Sequence, residues 1–175
     1  MRARWIKLFI TIAIVLTADF LLKTWVVNTL PLGRSVQPIP ALAPYFQLTY
    51  SQNTGAAFGF LPQAGDLFMV IGPIVVIAML YFFPHVPEDG VLTRFAIGLI
   101  CGGALGNATD RLRFGFVVDF IHYQIPPLIS NVSNLADHAI VLGVILIFVE
   151  SWLLDRHKAA QAEAVALESD THDEV

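Results

Sequence analysis

Along the chain, polar and apolar positions separate into four long apolar runs and two stretches where Pro, Gly, aromatic and charged residues collect. A helix needs about 20 mostly apolar residues to cross roughly 30 Å of hydrocarbon. The runs at residues 8–25, 67–83 (closed by Pro84), 95–109 and 138–154 approach that length, so four membrane spans are predicted. Residues 26–66 and 110–137 then lie together outside the cytoplasm, while 84–94 is a short inside turn. "YFQLTYSQN" alternates as a strand does, predicting one or two short strands at the membrane surface, and "PQAGDLFMV" reads as a surface or re-entrant approach to the second span. The expected fold class is an all-α membrane protein with four transmembrane helices and a small extracytoplasmic β-rich platform. Residues 1–158 form a single integral membrane domain, and 159–175 an acidic, disordered cytoplasmic tail.

Composition strengthens this picture. The 175 residues are 56% hydrophobic and 14% charged, with a mean hydropathy of +0.68, outside the usual range of a soluble domain. Arg2, Arg4, Lys7, Arg94, Arg156 and Lys158 gather on one side and Lys23, Arg34, Arg111 and Arg113 on the other, which by the positive-inside rule puts both termini in the cytoplasm. "MRARWIK" has the basic start of a signal peptide, but Asp19 and Lys23 interrupt the apolar stretch behind it, so the first span is expected to stay as an anchor. Cys101 is the only cysteine; no internal disulfide can form, and a small buried residue is expected there. Gly98, Gly102 and Gly106 recur at intervals of four and make a small-residue face for close helix packing.

An ionisable side chain at the centre of a membrane helix costs about 2.5–3.5 kcal/mol on insertion scales, so each one needs a reason. Asp19 and Lys23 are four apart, share a helical face and can pair. Asn107 and Arg111 repeat that spacing and continue the line of Gly103; Arg111 offers a forked donor for carbonyls, phosphate or a carboxylate such as Asp110. Glu150 is read as reaching the inner headgroups near Arg156. Asp119 stands bare in "GFVVDFIH" and Asp137 in "NLADHAIVLG". In one dehydrated pocket, repulsion and desolvation would raise at least one pKa and leave a shared proton near neutral pH, the chemistry of an aspartic protease. The same residues would serve a proton relay in a transporter or plain structural ion pairs, and the residues alone leave these open. Asp119, His122, Asp137 and His138 also make a conceivable metal set, but there is no HExxH, His122 reads as an exposed loop histidine, and no metal or cofactor is expected.

Five blocks, "ADFLLK", "NTGAAFG", "GGALGNATDR", "GFVVDFI" and "NLADHAIVLG", follow one another in the order found in the lipoprotein signal peptidases, which the chain resembles from about residue 15 to 155. The resemblance implies an aspartic endopeptidase of the bacterial inner membrane that acts on diacylglyceryl-modified prolipoproteins and cuts before the lipidated lipobox cysteine. It implies Asp119 and Asp137 as the catalytic pair, with Asn53, Gly55, Asn107, Arg111, Asn134 and Ala136 lining the site and Asp19 and Lys23 supporting it. The partners it implies are the prolipoprotein and membrane lipid, with no nucleic acid and the enzyme a monomer working at the extracytoplasmic face. The chain departs from the common pattern at Ser133, Leu135 and above all His138, where a serine is usual; these changes bear on substrate fit and pH optimum.

Overall fold

The computed structural model describes residues 2–55, 65–125 and 127–173. Four helices are long and apolar enough to cross a membrane: α1 (Arg2–Thr29), α2 (Gly65–Phe82), α3 (Val91–Phe114) and α4 (Leu135–Asp173). α1, α3 and α4 run well past the apolar runs read from sequence and carry Arg2, Arg111 and Asp137 in their end turns. The helical path of α4 continues through the acidic segment read as a disordered tail, as far as Asp173. The predicted approach to α2 begins at Pro62, and residues 62–64 lie outside the described residues.

One helix organises the bundle. α3 packs against each of the other three, and 67% of its apolar window is buried, against 17% or less for α1, α2 and α4. The cause is its composition. Gly98, Gly102 and Gly106 face α1, where an added Cβ would lie 2.8 Å from Thr11, 2.8 Å from Val15 and 2.7 Å from Asp19 respectively. Gly103 lies on a different face and admits the Ala136 carbonyl of α4. Without a hydrophobic drive between helices in lipid, such close backbone approach supplies the packing energy. α1 accordingly buries one narrow stripe, Leu8, Ile12, Val15, Asp19, Lys23 and Val26, and leaves Ile6, Phe9, Ile10, Ile14 and Leu21 facing outward, as lipid contact requires. Cys101 is fully buried in this core, as its setting predicted.

Above the bundle lies an antiparallel sheet in the order β1 (Ser35–Val36), β2 (Phe46–Asn53), β3 (Val117–Ile125), β4 (Ile129–Ser133). Two of its strands come from residues 110–137, where none was predicted. "VVDFIHYQI" hid its strand because it is buried on both faces over Val117–Phe120 and so does not alternate. Val118 and Phe120 pack on Val26, Leu30 and Tyr50, tying the sheet to the end of α1. Gly115, at φ 77° in the left-handed region that glycine favours, ends α3 and turns the chain into β3. A register irregularity between Leu48 and Ser51 of β2 falls beside Asp119.

Two polar residues sit elsewhere than expected. Glu150 does not reach toward Arg156: it is buried, and its carboxylate accepts the backbone amides of Leu92 (2.8 Å) and Thr93 (2.7 Å), capping α3. The first-turn amides of α3 have no partner within the helix, which is why a carboxylate is held there. His122 is buried rather than exposed, with Nδ1 2.8 Å from Thr49 Oγ1 and Nε2 3.0 Å from Ser130 Oγ, and burial lowers its pKa.

Candidate active site

The site forms where the first turn of α4, the last turns of α3 and the ends of β2 and β3 converge. Asn134 ends the β4 crossing and opens α4. Its side-chain oxygen accepts the Asp137 amide at 2.9 Å, while Asp137 Oδ2 accepts the Asn134 amide at 3.4 Å. This is a capping box, with Asn at the cap and an acid three residues on. The same Asn134 side chain donates through Nδ2 to Asp119 Oδ1 at 2.6 Å. One residue thus binds both acids: one through its helix cap, the other through its amide.

Each carboxylate has a second amide donor. Asn53 Nδ2 donates to Asp119 Oδ2 at 2.9 Å, and Asn107 Nδ2 donates to Asp137 Oδ1 at 2.8 Å. Asp119 is 2% exposed, whereas Asp137 is half-buried and the more accessible of the two. Burial lifts the Asp119 carboxyl to about 7; the Asp137 charge adds to the rise, and the bonds from Asn53 and Asn134 and the Lys23 charge oppose it. A carboxyl poised near neutrality beside a second acid can hold a proton that it also gives up.

Beneath the acids lies a buried ionic cluster. Lys23 Nζ is 2.7 Å from Asp19 Oδ2 and 3.0 Å from Asp110 Oδ2, and donates to Asn107 Oδ1 at 2.9 Å. The Asp19–Lys23 pair is the one its spacing predicted. Asp110 was weighed as a partner of Arg111, yet it pairs with Lys23 and accepts the Val118 amide at 3.0 Å, pinning the start of β3 to α3. That link between α1 and α3 spans 87 positions and left no local trace in the sequence.

The remaining residues named from sequence fall around this core. Asn53 Oδ1 accepts the Gly55 amide at 3.0 Å, and Arg111 reaches Gly55 O (3.3 Å) and Asn107 O (3.4 Å) with its guanidinium over the Phe68 ring. Arg111 Nε is buried with no partner among the described residues. Ala136 is fully buried; it meets the cluster through its backbone, its amide donating to Asp19 Oδ1 at 3.0 Å. Residues 56–64, which include the rest of the "NTGAAFG" block, lie outside the described residues.

His138 points neither at the acids nor freely outward. Its Nδ1 donates to the Asn134 carbonyl at 2.6 Å, so Nε2 faces the Tyr123 hydroxyl at 3.3 Å. Tyr123 carried no signal in the sequence; its place follows from the β3–β4 register, which sets it opposite Asn131. Asn134 was legible as more than a lining residue, since "NLAD" has the spacing of a capping box.

Residues 11–153 match the family model described as signal peptidase (SPase) II. The lipoprotein signal peptidase of Pelotomaculum thermopropionicum is 43% identical over 159 residues, covering 89% of this chain and 97% of that protein. The lipoprotein signal peptidase of Halothermothrix orenii is 40% identical over 144 residues, covering 82% and 94%. A bacterial membrane enzyme solved by the in meso method at 2.3 Å resolution shares the fold with a TM-score of 0.73 and 34% identity, over 85% of this chain and 88% of that one. Matched over most of its length in sequence and in fold, the chain belongs to the signal peptidase II family.

Proposed function

We propose that this protein is an aspartic endopeptidase that removes signal peptides from diacylglyceryl-modified prolipoproteins, cutting before the lipidated lipobox cysteine. The observation that carries the reading is the pair of acids held by Asn134, with Asp119 at the edge of neutrality. Family membership supplies the substrate class. The chemistry needs one proton shared by two carboxylates: one acid takes a proton from the attacking water while the other protonates the scissile carbonyl, and later the leaving amine. Asp119 is the natural holder of the proton at rest, since burial favours its neutral form.

The supporting residues take roles that follow from their bonds. Asn53, Asn107 and Asn134 orient the carboxylates, and Arg111 and the Gly55 backbone present donors and acceptors to the substrate peptide. Ala136 and the Asp19–Lys23 pair hold the start of α4 in place. Both termini lie in the cytoplasm and the acids work at the extracytoplasmic face of the inner membrane, where the substrate's acyl chains stay in lipid while its peptide reaches the sheet. Residues 1–158 make up the peptidase, a monomer without metal or cofactor, and the acidic remainder takes no part in the chemistry.

Purified protein incubated with a diacylglyceryl-modified lipobox peptide tests the reading. The expected product begins at the lipidated cysteine, forms in the presence of a chelator, and disappears in Asp119→Asn and Asp137→Asn. A chelator-sensitive activity restored by Zn²⁺, or turnover surviving in either variant, would remove the acid pair from its role. Reporter fusions at Val175 check the orientation, which an external C-terminus would reverse.

A further inference from the structure

At the end of the bundle away from the acids, where α1 and α3 begin, the two helices part. Of the three glycine contacts between α1 and α3, that of Gly98 with Thr11 lies nearest this end. Beyond it a groove of about 370 Å³ opens, walled by Leu8, Val91 and Phe95 and edged by Arg4, Lys7 and Arg94. The cationic edge is only partly compensated. Arg94 gives its fork to the neutral carbonyls of Pro87 and Glu88. Arg4 pairs with Glu88, whose side chain is 93% exposed. Lys7 forms no ion pair among the described residues, and Glu150, facing from α4, has both oxygens bound by the α3 amides while its charge acts on Arg94 alone.

An apolar wall under a cationic rim, open sideways at the end of a membrane bundle, complements a molecule with an acyl chain and an anionic head. We propose that this groove binds an anionic phospholipid, one acyl chain lying along Val91 and Phe95 and the phosphate between Lys7, Arg4 and Arg94. Basic pockets between transmembrane helices take anionic headgroups in this way, and the long Lys and Arg stems let the charges rise to headgroup level while their methylenes line the groove. A free inorganic anion would leave the apolar wall uncovered. A zwitterionic lipid would bring a second cation to a rim already rich in them. The proposal does not rest on the peptidase reading, because none of these residues belongs to the acid site.

Native mass spectrometry of the full chain, released from detergent after exposure to equal amounts of phosphatidylglycerol and phosphatidylcholine with matched acyl chains, reads the site directly. The expected result is preferential retention of phosphatidylglycerol, reduced roughly fivefold by Lys7→Gln and again by Arg4→Gln, the worth of one basic residue at an anionic headgroup. Arg34→Gln, an exposed cation at the opposite end of the molecule, should leave retention unchanged. Equal retention of the two lipids, or a loss in Lys7→Gln no greater than in Arg34→Gln, would overturn the proposal. So would displacement of the lipid by inorganic phosphate at comparable concentration.

Discussion

Lys23 donates to Asn107 Oδ1 at 2.9 Å and thereby decides which way the Asn107 amide faces. An ammonium can only donate, so the Asn107 oxygen must turn toward it and the nitrogen toward Asp137, which it reaches at 2.8 Å. A residue of α1 thus sets a hydrogen bond to the acid on α4 without touching it. Lys23→Met should act twice: it strands Asp19 and Asp110 as buried charges, costing about 3–5 kcal/mol, and frees the Asn107 amide to flip. The thermal midpoint in detergent should fall steeply. Combining Lys23→Met with Asp19→Asn and Asp110→Asn should recover much of the stability but not the turnover; a fully active triple variant would contradict the orienting role.

In Asp137 a helix cap coincides with the proposed chemistry, and two substitutions separate them. Asp137→Asn keeps an oxygen for the Asn134 amide, so folding should hold while cleavage falls below detection, beyond the roughly 10²–10⁴-fold that general acid–base catalysis alone contributes. Asp137→Ala should lose cleavage equally and about 1 kcal/mol of stability besides, the usual worth of a helix cap. Paired melting curves and product assays check this; equal midpoints for the two variants would show the cap to be idle.

Asp119 gives the pH dependence its sign. Its neutral form prevails below about pH 7, so activity that needs its proton should decline as pH rises through that value. The Asn53 bond favours the ionised form. Asn53→Ala should therefore raise the Asp119 pKa further and move the alkaline limb of the rate profile to higher pH. The same shift bears on stability: an acid raised in the folded state binds more protons there than in the unfolded chain, so stability falls as pH climbs from about 4 to about 7. Asp119→Asn should flatten that slope, read as thermal midpoints across the pH range.

Arg111 holds the Gly55 and Asn107 carbonyls through separate arms of its fork and keeps Nε buried without a partner among the described residues. Arg111→Lys retains the charge but not the two-armed geometry. Turnover should drop strongly while the thermal midpoint moves little, and a variant that fails to fold would reassign the arginine to scaffolding.

Much of this architecture was legible along the chain. Hydropathy marked the spans because lipid-facing residues such as Ile14 and Leu21 must be apolar, and spacing marked the Asp19–Lys23 pair because four residues make one helical turn. β3 went unseen because burial on both faces over Val117–Phe120 erased its alternation, whereas Glu150, His122 and Asp110 depend on neighbours far along the chain. Asp110 joins Lys23, Glu150 joins Leu92, and His122 joins Thr49, and no local period carries such information. The acid pair was named by resemblance, since its residues alone left a transporter or an ion-pair network equally open; the Asn134 bridge between the acids belongs to the fold.

α3 and α4 are latched at both ends, by the Asn107–Asp137 bond and by the Glu150 cap on Leu92 and Thr93. Each added or removed residue in a helix moves everything beyond it by about 1.5 Å and turns it by about 100°. The stretches from Thr93 to Asn107 and from Asp137 to Glu150 are therefore a matched pair of rulers, and neither can change length by one residue without unfastening a latch. Natural variation in chain length should fall outside them, in the 84–90 turn, the connections of the sheet and the segment after Glu150, while inside them the protein tolerates exchange of side chains but not of length.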